Sequence, residues 1–180
     1  MHVSSKKHGL TVYELVLFAM LGMVMFVSKI VMEFLPNVHL LGMLTMVYTL
    51  TFRSKALIPI YIYVFVNGLY AGFAVWWVPY LYVWTVLWAV TMLLPRNMPR
   101  WLACAVYPIV CGLHGLAFGL LYAPTQALMF GLNWEMTVAW VLAGLPFDAI
   151  HAVGNVLTGL LIVPLLELLM KLSKNIRPRV

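Results

Sequence analysis

The sequence predicts an all-α integral membrane protein, a six-helix bundle forming one domain over 1–180, with both termini cytoplasmic. Three observations predict it. The chain is 64% hydrophobic and only 9% charged, where a soluble domain carries about 25% charged residues. Such a chain cannot cover its own surface with polar groups. Its apolar runs are continuous rather than alternating, which argues against a β-barrel. Its basic residues fall on one side of those runs, and in membrane proteins that side is the cytoplasm.

Breakers divide the apolar runs into helices at about 11–32, 38–52, 56–74, 78–94, 101–122 and 137–170. The second is short, at about 15 residues where a bilayer needs about 20. The last is long and carries Pro146 near its first third, so a kink is expected there. Lys6 and Lys7 precede the first helix. Arg53 and Lys55 separate the second and third, and Arg96 and Arg100 separate the fourth and fifth. Lys171, Lys174, Arg177 and Arg179 follow the sixth. With six spans these residues share one side and leave out Lys29, while the opposite loops carry Glu33 and Glu135. The net charge of +6 is thus a topology signal and implies no nucleic acid partner. No small-residue cleavage site follows the start, so no signal peptide is expected. Cys104 and Cys111 are seven residues apart, about 10 Å along a helix, too far for a disulfide. Both are read as buried small apolar residues.

The outer loops read "MEFLPNVHLLG", "FAVWWVPYLYVW" and "LYAPTQALMFGLNWE". Trp76 and Trp77 fit either an aromatic belt at the headgroups or a ligand site. The same loops carry Asn37, His39, Gln126 and Asn133, which adds weight to a site. Lys29 and Glu33, four apart, make an interfacial ion pair, or Lys29 faces an acidic ligand group. Gly68 with Gly72, and Gly112 and Gly115 with Gly119, let helices approach closely. They serve bundle packing or a docking face. The first helix is the better docking candidate, because Ala19 and Gly22 lie on a Met-rich surface that suits reversible contact.

Polar groups at membrane depth are functional hypotheses by default. Asp148 lies near the midplane, and His151 and Asn155 follow on the same helix face. His114 and Asn67 reach similar depth from the fifth and third helices. These groups form an internal hydrogen-bond network, the floor of a cavity open to the outside, or a metal site. No ligand pair has a recognised zinc spacing, so neither metal nor cofactor is expected. Ser28 lacks a nucleophile-elbow context, and no catalytic residue is assigned. The alternative class is a membrane enzyme using Asp148, His114 and His151; a channel-like protein is a third. "GLHGLAFG" lacks the Lys-Ser/Thr of a phosphate loop, so active transport would need energy from a partner.

The linked blocks "VSKIVMEFLPNVHLLGMLTMVYTL", "KALIPIYIYVFVNGLYAGF", "WWVPYLYVWTVLWAVTMLLP", "GLHGLAFGLLYAPTQALMFGL" and "AGLPFDAIHAVGN" resemble the substrate-binding S component of energy-coupling factor transporters. The likeness covers about 11–170 and is greatest to the cobalamin-specific type of lactic-acid bacteria. It implies a vitamin bound on the outer side, a transmembrane T component, two cytoplasmic ATPases, and delivery by toppling in the membrane. It implies binding by Asn37 and His39 in loop 1, Trp76, Trp77 and Tyr80 around loop 3, and Trp84 on helix 4. Tyr122 and Gln126 in loop 5 and Asp148, His151 and Asn155 on helix 6 complete that set. It implies docking through helix 1, where the family pattern Ala-x-x-x-Ala becomes Ala19 followed by Met23, with Gly22 beside them. Cobalamin is the expected ligand, and a pyrimidine or pyridine vitamin or precursor, pantothenate or a deazapurine is the alternative.

Overall fold

In lipid every backbone N–H and C=O needs an internal partner, and a helix supplies one within its own segment. A computed structural model describes residues 10–35 and 37–176, with side chains as far as Leu172. Lys6, Lys7, Arg177 and Arg179, and the Lys174 side chain, lie outside the described residues, and with them part of the charge pattern. Among the described residues there are eight α-helices and no strand. They are α1 (Val12–Val31), α2 (Leu41–Phe52), α3 (Leu57–Ala71), α4 (Tyr80–Leu93), α5 (Arg100–Leu116), α6 (Phe118–Phe130), α7 (Trp134–Gly159) and α8 (Ile162–Ile176). Five stretches are long and apolar enough to cross a membrane: Val12–Val31, Leu41–Ala71, Val75–Leu93, Arg100–Phe130 and Trp134–Gly159.

Thr11 and Glu14 start α1 with a reciprocal capping box. One face of α1 then shows Val16, Met20, Met23 and Val27 to the exterior. The other face carries Phe18, Gly22 and Met25 inward. α2 is apolar all round, and every residue from Leu41 to Thr49 is buried, so it forms the axis of the bundle. The Tyr48 hydroxyl donates to Leu21 O at 3.2 Å, and Phe18 meets Phe52 edge-on at 5.3 Å, so α2 runs back along α1. Arg53 then breaks the stretch Leu41–Ala71 at φ 57 and ψ −122. Its guanidinium donates to Met92 O at 2.8 Å, and the Trp88 indole donates to Arg53 O at 3.1 Å. Those bonds offset an unfavourable backbone conformation and pin the turn to the end of α4. The same end carries the ion pair of Lys55 with Glu14 and that of Arg100 with Glu167 at 3.2 Å.

Several expectations need correction. The fifth helix does not stop near 122: after a break at Ala117 the chain stays helical to Phe130, through Pro124. Tyr122 and Gln126 are therefore helical, not loop, residues. α7 starts at Trp134 because the Asn133 side chain accepts from Met136 N at 2.9 Å, so Asn133 is a cap. The last predicted helix is in fact two: α7 runs through Pro146 to Gly159, and the chain breaks at Leu160–Leu161 before α8. Pro164 accounts for that break, since a proline clashes with the carbonyl four residues before it. Gly22 is not on the exposed face with Ala19 and Met23. A Cβ there would lie 2.6 Å from Ile62 Cγ2, so Gly22 serves the contact of α1 with α3. Gly68 makes room for Phe73 and Trp77, and Gly72 ends α3 at φ +85, so this pair is not a helix-crossing motif. Cys104 is exposed and only Cys111 is buried; both are free thiols.

Candidate functional site

Six elements bring aromatic and imidazole rings to one place. The segment before α2 contributes His39, α3 contributes Tyr63, and α4 contributes Tyr80 and Trp84. His114, Phe118 and Tyr122 come from α5 and α6, and His151 from α7. The spacing explains the inward stripes: Tyr80 and Trp84 are four apart, as are His114, Phe118 and Tyr122. Trp84, with no exposed surface, is the hub. Its ring lies 5.8 Å from those of His39, Tyr80 and His114, 6.0 Å from Phe118 and 6.3 Å from Tyr63. His151 packs against His39 at 4.5 Å and against Phe118 at 4.7 Å.

Buried polar atoms without a partner are concentrated on these rings, and Thr45 Oγ1, Arg53 Nε, Asn67 Oδ1 and Asn155 Oδ1 are further ones outside them. Trp84 Nε1, His114 Nδ1 and His151 Nε2 are buried without a hydrogen-bond partner, and His39 Nδ1 has none outside its own residue. The other nitrogen of His114, Nε2, meets Val83 O at 3.1 Å. Leaving one buried polar group unpaired costs about 1–3 kcal/mol. With the Tyr63 hydroxyl, also buried without a partner, five of them in one ring cluster call for a common explanation. Among the described residues no group of three His, Cys, Asp or Glu is placed to hold a metal ion.

His39 lies in the connection between α1 and α2, and burial pushes its imidazole down to about 4, with the neighbouring His114 adding in the same direction. The unfolded chain, with an ordinary histidine near 6.5, therefore binds the extra proton between those two values. Stability is complete above about pH 6.5 and falls as pH drops towards 4, by up to about 3 kcal/mol. Thermal melts in detergent from pH 7.5 to 4.5 should show this slope, and His39→Gln should flatten it. An unchanged slope in the variant would place the sensitivity elsewhere.

The polar face of α7 divides in two. His151 joins the ring cluster, while Asp148 and Asn155 pin α7 to its neighbours. Both Asp148 carboxylate oxygens accept from Gly119 N–H at 3.1 Å. The break at Ala117 frees that N–H, which lies in the first turn of α6, where a carboxylate is favoured. Asn155 Nδ2 donates to Cys111 O at 3.1 Å. Asp148→Ala should therefore lower stability by about 1–3 kcal/mol, with Asp148→Asn milder because it keeps an acceptor. Binding by the folded protein should change less than melting temperature does. The reverse ranking would put Asp148 in the ligand site.

Trp76 borders the cluster. The Trp76 ring stands edge-on to Tyr80 at 5.5 Å, and Trp76 O accepts from the Tyr122 hydroxyl. Trp77 is committed to α3: its indole N–H donates to Val64 O at 2.8 Å. Asn37, at φ 59, and Gln126, one turn beyond Tyr122, are half-buried at the periphery. Asn67 is buried with Oδ1 unpaired. Lys29 pairs with Glu33 at 2.9 Å, the plain interfacial arrangement. Ser28 donates to Met25 O at 2.7 Å, so Ser28, His114 and Asp148 each bond elsewhere and form no nucleophile–base relay. Tyr63 and Phe118 were not among the expected residues. Their signal is spacing: Tyr63 is four before Asn67, and Phe118 lies midway between His114 and Tyr122.

Surface grooves of about 640 and 510 Å³ lie on α3 and between α6 and α7, and neither is lined by a residue of the ring cluster. Their linings are almost wholly apolar, as a lipid-facing surface requires, so the ring cluster is the better candidate site. Comparisons with protein-family models, curated proteins and solved structures give no match to this chain.

Proposed function

We propose that the chain is the substrate-binding subunit of a membrane importer of the energy-coupling factor type, and that its substrate is a small ring compound bound by the Trp84 cluster. The observation that carries the reading is the set of unpaired nitrogens on Trp84, His114 and His151, each residue less than a tenth exposed. A bound molecule would satisfy them, and the surrounding rings suit a flat heterocycle. The resemblance puts binding on loops 1, 3 and 5 and the outer parts of helices 4 to 6; His39, Trp84 and His151 support that reading, while Tyr63 of α3 lies outside it and Tyr122 is helical. Closely packed rings favour a small vitamin or precursor over cobalamin, because a corrinoid needs a wide mouth. Six passes follow if α2 and α3 each cross, with the end carrying Arg53, Lys55 and Arg100 cytoplasmic. Ala19 and Met23 on the exposed side of α1 are the docking positions for a transmembrane partner, and two ATPases supply the energy.

The test is affinity purification from native membranes followed by calorimetry with a panel of vitamins. The expected result is copurification of one transmembrane protein and two ATPases, with micromolar or tighter binding of one ring compound (about −8 kcal/mol or better). A chain that purifies alone and binds none of the panel overturns the proposal. Tight binding of cobalamin alone overturns the size argument.

A further inference from the structure

The proposed substrate is defined further by the hydrogen-bonding capacity of the cluster. Trp84 Nε1 only donates, so its partner must accept. Val83 O only accepts, so His114 Nε2 carries the ring proton, and the neutral imidazole leaves Nδ1 as an acceptor whose partner must donate. The Trp84 and His114 rings are 5.8 Å apart, close enough for one small molecule to meet both demands. His39 and His151 adjust their tautomers to either role.

Charge narrows the choice. Among the described residues the ring cluster includes no Lys, Arg, Asp or Glu, and the nearby Asp148 is engaged with Gly119 N–H. The one positive feature is the start of α2, two residues after His39. It is buried and has no side-chain cap. A helix N-terminus offers about half an elementary charge, and with no Lys or Arg beside it a neutral carbonyl oxygen is desolvated there at lower cost than a free carboxylate or phosphate. A cation fares worse, facing that same end and no carboxylate.

We infer that the ligand is an uncharged heteroaromatic ring carrying a hydrogen-bond acceptor beside an N–H donor, as a ring amide, lactam or amino-azine does, and that charged analogues are rejected. This rests on the reading of the cluster as a ligand site. Matched probes test it on the purified full chain in nanodiscs, by calorimetry and tryptophan fluorescence. The pairs are pyridine-3-carboxamide with pyridine-3-carboxylate, uracil with orotate, and 7-deazaguanine with its 7-carboxylate.

The expected result is that a neutral member binds at least about 100-fold tighter than its charged partner. Trp84→Phe and His114→Gln, each confirmed folded by its melt, should weaken that binding about tenfold. An N-methylated probe, which lacks the donor, should lose affinity for the native chain but not further for His114→Gln. A charged member binding as tightly as its neutral partner overturns the inference and leaves the transport reading intact. Failure of every neutral probe up to about 1 mM also overturns it, since such weak binding cannot serve capture. In that case copurification of the transmembrane partner and ATPases still decides the transport reading separately.

Discussion

Trp84→Ala is expected to be the most damaging single truncation in the bundle. The side chain is fully buried and is ringed by five others with centroids within 6.3 Å. Removing a buried tryptophan costs about 3–5 kcal/mol in soluble cores. In lipid the transfer part is small, and the loss is mostly dispersion and edge-to-face ring contact, which points to the lower end, about 3 kcal/mol. Trp84→Phe separates packing from polarity. It keeps a ring at the hub but removes the indole N–H donor, so it should retain most of the stability and weaken binding about tenfold. Detergent melts together with ligand titration read both effects. A Trp84→Phe variant that binds as well as the native chain would make the indole a packing group only.

Gly115→Ala is the second large effect, and its contrast is Gly144→Ala. A Cβ at Gly115 would lie 2.8 Å from Asn155 Nδ2 and 3.0 Å from both Ala152 N and His151 C. Two of those atoms are backbone, so α5 and α7 must separate. Overpacking of this kind costs about 1–3 kcal/mol. The same displacement loosens the Asn155 bond to Cys111 O and moves His151 away from the rings, so binding should fall with stability. Gly144 sits on α7 with no atom within 4 Å of such a Cβ. There alanine should be neutral or stabilise by up to about 1 kcal/mol through helix propensity. Equal melting temperatures for the two variants would overturn the close α5–α7 crossing.

Much of the ring site was legible before any tertiary contact. His39, Tyr80, Trp84, Tyr122 and His151 stood out as polar or aromatic groups in an apolar chain, and all join the cluster or its rim. The helix ends were less legible where prolines were involved. Pro124 was read as part of a loop, yet helix continues through it, whereas Pro164 coincides with a real break. A proline removes one donor and crowds one carbonyl, and neighbouring helices decide whether that loss interrupts the segment.

By itself the sequence determined helices long and apolar enough to cross a membrane and the supply of polar groups within them. Composition and the length of apolar runs are local properties, and lipid leaves a long apolar run few other ways to satisfy its backbone. Only the tertiary structure decided what each polar group does. Asp148, His151 and Asn155 share one helix face, and that sharing cannot tell them apart. Asp148 became a pin because the break at Ala117 freed the N–H of Gly119, 29 residues before it in the chain, to meet it. His151 became part of the ring site because loop 1 brings His39, 112 positions away, to within 4.5 Å. A buried polar group takes whichever partner the packing leaves free, and that partner lies on another helix.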